Sequence, residues 1–505
     1  MTRHLKPDEM RPSSIFGLVL FAFVLRVLFL VLADVRAPLT GDELAYQQIA
    51  ENVAAGRGFW QDNNPFFPGQ ILYAWQAPLY PLALGALYKI LGVNIFLAKI
   101  FGILVSTASV YVMYDLSFHV SRFTFHTSRS ALKNAPYARV SLLTAFLIAI
   151  YPGFLTSAHL LLSETLFIFL MLLAFDFVAR AVSFRVATPF AAEKNLDSAN
   201  AEISRSARND KHNWLWIFGA GALWGMATLT RGITLYFTPL LALWLVWALW
   251  REREGDHKGS PLRAIGAGIF FCAATALVIA PWTARNYFQF GQIVVLETKG
   301  GVNLWLGNSP HTPNEFIRNV WKVGVREPML NVLPTDELAR DRAAYALALD
   351  FIRAEPVTFF ARMPSKFADF WGFERNLIDN AEATRRGGGW NSFSKIGADL
   401  LAAVVYIVVM VCGVAGFVFA PFDRFKVLFG AFTLYFLLVH LVIFGDGRFH
   451  FPLIPFFGMY AAWFVLMRRS VSLLRARVGL TLLLVLVLAG VWAREVWAAL
   501  QALRG

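Results

Sequence analysis

The chain is short of charge and nearly without cysteine. Asp, Glu, Lys and Arg make up 16% of its 505 residues, against about a quarter in an ordinary soluble domain, so water is not its only solvent. Its two cysteines, Cys272 and Cys412, both lie inside apolar runs and provide neither a disulfide framework nor a metal-ligand spacing. Nucleotide and protease signatures are missing too: there is no phosphate-binding Gly-Lys-Ser/Thr loop, no His-Glu-x-x-His pair and no Gly-x-Ser-x-Gly elbow. Gly219, Gly221 and Gly225 miss the dinucleotide spacing and read instead as a face for close helix packing. No internal repeat is visible.

What the chain has is apolar length. Hydrophobic residues make up 57% of it, and the mean hydropathy is +0.54. These residues gather into runs of about 17 to 25, the length that spans a bilayer core as a helix. The composition excludes a disordered chain, a disulfide scaffold and a small cytosolic enzyme, and predicts an α-helical polytopic membrane protein. The runs fall at 15–33, 94–116, 140–155, 164–182, 214–229, 235–250, 264–282, 396–420, 427–444, 451–467 and 478–492, giving about 11 transmembrane helices. Arg3, Lys6 and Arg11 precede the first run as in a signal peptide, but no convincing small-residue cleavage site follows, so it reads as a retained helix.

Charge sets the expected orientation. With the N-terminus inside, the inner connections collect Arg122, Arg129, Lys133 and Arg139, then Arg180, Arg185, Lys194, Arg205, Arg208 and Lys211, and later Arg251, Arg253, Lys258, Arg263, Arg424, Lys426, Arg468, Arg469, Arg475 and Arg477. The short outer segments hold only Arg36, Arg57, Arg231 and Arg448, which satisfies the positive-inside rule. The net charge of +13 is therefore topological and faces lipid headgroups, and a nucleic-acid partner is not expected.

Three regions follow. Residues 1–282 form a transmembrane core whose first outer loop, 34–91, ends in a short apolar helix at 78–91, too short to span and suited to the interface. Residues 283–395 form an outer domain of mixed α/β character. It has a β-like stretch at 293–298 and a helix capped by Thr335 that runs to about Ala354, where Pro356 stops it. Residues 396–505 supply the last helices. The inner stretch 187–213 is polar and of mixed charge, and Gly387–Gly389 mark a flexible turn.

Charges inside the spans are nearly absent. Asp176 and Arg180, four apart near an inner helix end, read as a structural pair. The lack of further buried acids argues against an ion-coupled transporter, which needs carboxylates at the midplane. Polar groups gather at outer helix ends instead. Thr40-Gly41-Asp42-Glu43 follows the first span; capping explains it most simply, although two adjacent carboxylates could also take a proton or hold a metal. Ser163-Glu164 opens another span, with His159 one turn earlier. Arg231, Arg285 and Arg448 stand on the side poor in positive charge, where forked guanidinium groups suit a phosphate at the membrane surface.

In order along the chain come the acid pair, Gly56-Arg57-Gly58-Phe59, Ala77-Pro78-Leu79-Tyr80-Pro81, Ser163-Glu164-Thr165-Leu166-Phe167, Thr230-Arg231, Pro281-Trp282 through Asn286-Tyr287, Gly301-Val302-Asn303-Leu304 with Gly307-Asn308, and Arg448-Phe449-His450-Phe451-Pro452. This ordered set, over about residues 15–465, resembles bacterial GT-C glycosyltransferases of the protein mannosyltransferase and aminoarabinose transferase type, glycosyltransferase family 39-like. The resemblance implies a GT-C-like fold in the bacterial inner membrane, with a periplasmic active site that moves a sugar with inversion. The donor would be a polyprenyl phosphate, and the acceptor a lipid, glycan or protein. By position Asp42 matches the catalytic base and Glu43 its neighbour. Arg231, Arg285, Arg448, Tyr80, Asn303 and His450 fall where donor phosphate or substrate is bound. A divalent metal cation is the one cofactor implied, with Asp42 and Glu164 as its ligands, although the chain has no Asp-x-Asp. A transporter of lipid-linked sugar or polysaccharide, making no new bond, is the alternative, and a noncatalytic scaffold the third reading.

Overall fold

A computed structural model describes residues 12–32, 39–127, 137–183, 197–251, 261–374, 392–467 and 474–502. Gly387–Gly389, Arg36, the N-terminal basic residues and much of the inner connections, Arg129, Lys133, Arg185, Lys194, Lys258 and Arg468 among them, lie outside the described residues. Among those described, nine segments are long and apolar enough to cross a membrane. They cover all but two of the eleven runs.

The two exceptions have local causes. The run at 140–155 breaks into Tyr137–Ile150 and Pro152–Ser157, because Pro152 drives the preceding Tyr151 into an extended conformation, with φ −65° and ψ 125°. The run at 214–229 is the apolar end of a longer helix, Asp197–Thr230, whose polar beginning sequence reading had left as a connection. Pro281 does not end its span either. The helix Pro261–Phe290 carries it internally, so the expected domain start at 283 falls within a helix.

Helix packing explains the glycines. A Cβ on Gly221 would lie 2.5 Å from the Phe271 carbonyl oxygen, and one on Gly225 2.9 Å from that of Thr275. Small residues here let Asp197–Thr230 lie backbone-to-backbone against Pro261–Phe290, as the glycine pattern predicts. Around Phe175, Trp224, Phe429, Phe432 and Phe456 the bundle interior is a cluster of aromatic rings, mostly edge to face.

The β-like stretch is not a strand. Among the described residues the one β contact is an isolated bridge between Gln61 and Leu72, and the described part of 283–395 is otherwise helices and irregular chain. The alternation at 293–298 is nevertheless present: Val294, Leu296 and Thr298 are buried, while Ile293 and Val295 are exposed. Side chains take the place of a partner strand. Trp282 Nε1 donates to Leu296 O at 2.7 Å, Thr283 Oγ1 to Val295 O at 3.0 Å, and Asn286 Nδ2 to Val294 O at 3.0 Å. The expected helix is Glu337–Ala354, and its cap is Asp336 rather than Thr335, since the Asp336 side chain accepts from Ala339 N. Pro356 opens a new short helix, Pro356–Ala361.

Candidate functional site

The loop that follows the first span is built for docking. Gly41 takes φ 53°, a conformation that favours glycine, and turns the chain into the helix Asp42–Ala54. Glu43 then reaches back to Thr40 N at 3.1 Å, while Glu43 N donates to Thr40 O at 3.1 Å, a reciprocal closure of the helix start. The other Glu43 oxygen accepts from Leu161 N at 2.8 Å, and Tyr46 donates its hydroxyl to Ser163 Oγ at 3.1 Å. Two segments more than a hundred residues apart are thereby fixed together. Glu43 is buried, and burial pushes its carboxyl above the usual range against the Leu161 and Thr40 bonds, which pull it down. It ties the loop to Leu161, just ahead of the Ser163–Ser183 helix.

Asp42 points the other way and keeps 37% of its side-chain exposure. Its Oδ2 lies 3.1 Å from Arg448 Nη2. Arg448 also binds Glu164 Oε1 through Nε, and Arg231 Nη1 reaches the same oxygen at 2.8 Å. Glu164 is fully buried, at the start of Ser163–Ser183, where the helix N-terminus favours an anion. Arg448 sits in the short turn Gly447–Phe449, whose cap Asp446 accepts from Arg448 N at 2.9 Å. Four segments thus bring two carboxylates and two guanidinium groups together, with Asp42, Arg231 and Arg448 partly open. Tyr46 and Tyr80 meet edge to face at 5.1 Å beneath them. Burial raises both phenols well above their ordinary range, and the acids Asp42 and Glu164 add to the effect on Tyr46.

Three expected site residues are elsewhere. Arg285 donates from Nη1 to Tyr73 O and from Nη2 to Phe59 O, both at 2.8 Å, and lies over the Trp282 ring at 4.8 Å. It clamps the loop that follows the first span through both terminal nitrogens. His450 is fully buried, with Nδ1 2.5 Å from Phe370 O, Nε2 3.3 Å from Glu374 and its ring stacked on Tyr406. It is closed to substrate. Asn303 lies on the helix Gly300–Gly307, outside the charged group. Sequence reading missed Arg26, which is buried in the first span. Its Nε donates to Ser106 Oγ at 2.8 Å and its Nη1 to Ala149 O at 3.2 Å, so it satisfies a carbonyl at the broken 140–155 run. A lone arginine in an apolar run is the signal that could have found it.

The metal expectation meets an occupied site. Asp42 and Glu164 are already joined through Arg448, so an ion between them would have to displace that guanidinium. Among the described residues the side chains grouped tightly enough to hold an ion are Asp115, His119 and Asp176, whose ligand atoms lie within 4.8 Å of one another. Asp176 stands at the far end of Ser163–Ser183 from Glu164, and Asp115 and His119 on the neighbouring helix Ile95–Thr127. Asp176 pairs with Arg180 at 2.7 Å, as expected, and Arg180 also binds Asp115. His119 Nδ1 faces the Asp115 carbonyl at 2.9 Å, which makes Nδ1 the protonated nitrogen and Nε2 the one with the lone pair.

No family model matches the chain, and no curated protein matches it. Among solved structures it is similar to the Archaeoglobus fulgidus oligosaccharyltransferase in the apo form, with a TM-score of 0.51 and 14% identity over 94% of this chain and 54% of that one. The chain thus spans about half the length of that enzyme. It also aligns with ArnT from Cupriavidus metallidurans bound to undecaprenyl phosphate, at 17% identity over 89% of this chain and 76% of that one, TM-score 0.38. The S. cerevisiae Pmt1-Pmt2 complex bound to the sugar donor aligns at 15% identity over 62% and 37%, TM-score 0.38. The first likeness shows a shared fold: the chain has the polytopic helical architecture of that structure.

Proposed function

We propose that this protein is a membrane glycosyltransferase that moves a sugar from a polyprenyl-phosphate donor to an acceptor hydroxyl, with inversion, at the periplasmic face of a bacterial inner membrane. One observation carries the reading: Asp42, Glu164, Arg231 and Arg448, from four distant segments, form one partly open cluster at the helix ends expected to face outward. Asp42 is the exposed carboxylate and takes the acceptor proton. The acceptor oxygen bonds to the anomeric carbon as the bond from that carbon to the phosphate oxygen breaks, and the electron pair leaves with the polyprenyl phosphate. That leaving group is a stabilised anion and needs little protonation, so one general base suffices, unlike the pair of carboxylates in glycoside hydrolysis. Arg448 and Arg231 meet the charge that grows on the phosphate, and Glu164 holds the two guanidinium groups in place. The donor's tail stays in lipid beside the apolar helix Leu79–Leu91, while its headgroup reaches Asp42.

Asp42→Asn tests the assignment. It removes the proton acceptor at nearly constant volume, so transfer from a polyprenyl-phosphate sugar should be lost while expression and polyprenyl-phosphate binding persist. Wild-type turnover by the Asn variant would reject Asp42 as the base.

A further inference from the structure

The strap at 293–299 presents a second charged feature to the same region. Its buried face, Val294, Leu296 and Thr298, leaves Glu297 and Lys299 on the open face, as a period of two requires. The strap is held rigidly. Besides the contacts from Trp282, Thr283 and Asn286, Thr298 N donates to Ala74 O at 2.9 Å and Thr298 Oγ1 to Glu337 at 2.5 Å, while Glu337 also accepts from Tyr73 N and Ala74 N at 2.6 and 3.0 Å. Glu297 is therefore positioned by both the outer domain and the first outer loop.

Its place is against the segment that carries Arg231. Glu297 Oε1 lies 3.1 Å from where a Cβ on Gly232 would stand, and Gly232 follows Arg231 directly. Lys299 Nζ pairs with Glu297 Oε2 at 3.1 Å and donates to Gln76 Oε1 at 3.2 Å. Both charged side chains keep between a fifth and a quarter of their exposure, while Glu297 Oε2 and Gln76 are buried. Tyr345 interacts electrostatically with Glu297 and with Tyr236, and these two tyrosines are exposed at 38% and 70%.

We propose that Glu297 and Lys299, flanked by Tyr236 and Tyr345, form the acceptor subsite and take an uncharged polyhydroxyl group, that is, a saccharide. This rests on the glycosyltransferase reading above. A hydroxyl both donates and accepts, so a carboxylate beside an ammonium matches neighbouring hydroxyls. Exposed tyrosine rings offer apolar faces to sugar C–H groups. The paired charges cancel, and a strongly anionic or cationic acceptor would break the pair and desolvate one partner.

The full-length protein in detergent tests this with three probes: maltotriose, an uncharged threonine-containing peptide, and polyprenyl phosphate. Saturation-transfer NMR should show maltotriose binding to the wild type. Glu297→Gln and Lys299→Met should each weaken that binding about tenfold. The thermal shift given by polyprenyl phosphate should stay unchanged in both, which also shows that the variants are folded. Maltotriose binding that is equal in wild type and both variants, or peptide binding with maltotriose silent, would overturn the proposal. The donor reading fails separately, if polyprenyl phosphate gives no thermal shift in wild type.

Discussion

Arg285 and Arg448 carry the same guanidinium, and their partners separate what each does. Arg448 spans two carboxylates at the open cluster, so Arg448→Lys keeps the charge but cannot reach both with the same parallel geometry. We expect kcat/KM to fall about a hundredfold or more, with kcat affected more than KM, because the lost contact strengthens toward the transition state. Steady-state kinetics with a polyprenyl-phosphate sugar decides it, and near-normal values would return Arg448 to a structural part. Arg285→Lys should do the opposite. It keeps one of two carbonyl bonds and loses the stacking on Trp282, so about 1.5–3 kcal/mol of stability should go with kinetics little changed once folded. Glu43→Gln belongs with Arg285: the amide nitrogen of glutamine would face a backbone donor, at Leu161 or at Thr40, and thermal stability should drop while residual enzyme turns over normally. Sequence reading found Asp42, Glu164, Arg231 and Arg448 because polar groups at the ends of apolar runs stand out. It did not separate Arg285 and His450 from these, since Arg285 bonds to the carbonyls of Tyr73 and Phe59 and His450 to that of Phe370, partners that no residue pattern reveals.

The elements were legible where their cause is local. Apolar runs gave the spans and their order, and Pro356 gave a helix stop, because these depend on neighbours in the chain. The strap at 293–298 was read correctly in its alternation and wrongly as a strand, since the pattern reports burial and not which groups fill the hydrogen bonds. The glycine pattern at 219–225 was informative because helices in lipid associate through small residues. That gives a paired prediction. Gly221→Val places a side chain against the Phe271 carbonyl 2.5 Å away, backbone that cannot yield, so the variant should unfold or aggregate in detergent. Gly490→Ala in the last span, where a Cβ would meet nothing within 4 Å, should be neutral or stabilise by up to about 1 kcal/mol. Equal melting temperatures for the two variants would contradict the packing account.

At the scale of the whole molecule, the end of the outer domain grips the turn that carries Arg448. The carbonyl of Lys366 lies 2.0 Å from where a Cβ on Gly445 would be, and that of Phe373 lies 2.4 Å from the same point on Gly447, while His450 is held by Phe370 O and Glu374. The placement of a site arginine thus depends on how this segment docks on the bundle. Lys366 is part of that docking, fully buried, with Nζ donating to Asn308 Oδ1 at 2.9 Å and Val442 O at 3.0 Å. Burial, aided by Arg362, lowers its amine to about 7 from an ordinary 10.5. In the unfolded chain the amine takes up its proton near 10.5, whereas in the folded chain it does so only near 7. Stability from this group is therefore complete above pH 10.5, is lost as pH falls, and reaches its minimum at and below about pH 7. Lys366→Met removes the titration together with two hydrogen bonds. Its melting temperature should therefore change less than that of the wild type between pH 7 and 10, and the variant should compare most favourably with the wild type at pH 7. Parallel melting curves across that range would show that Lys366 keeps its proton when buried, and that the docking of the outer domain on the Arg448 turn does not depend on its charge.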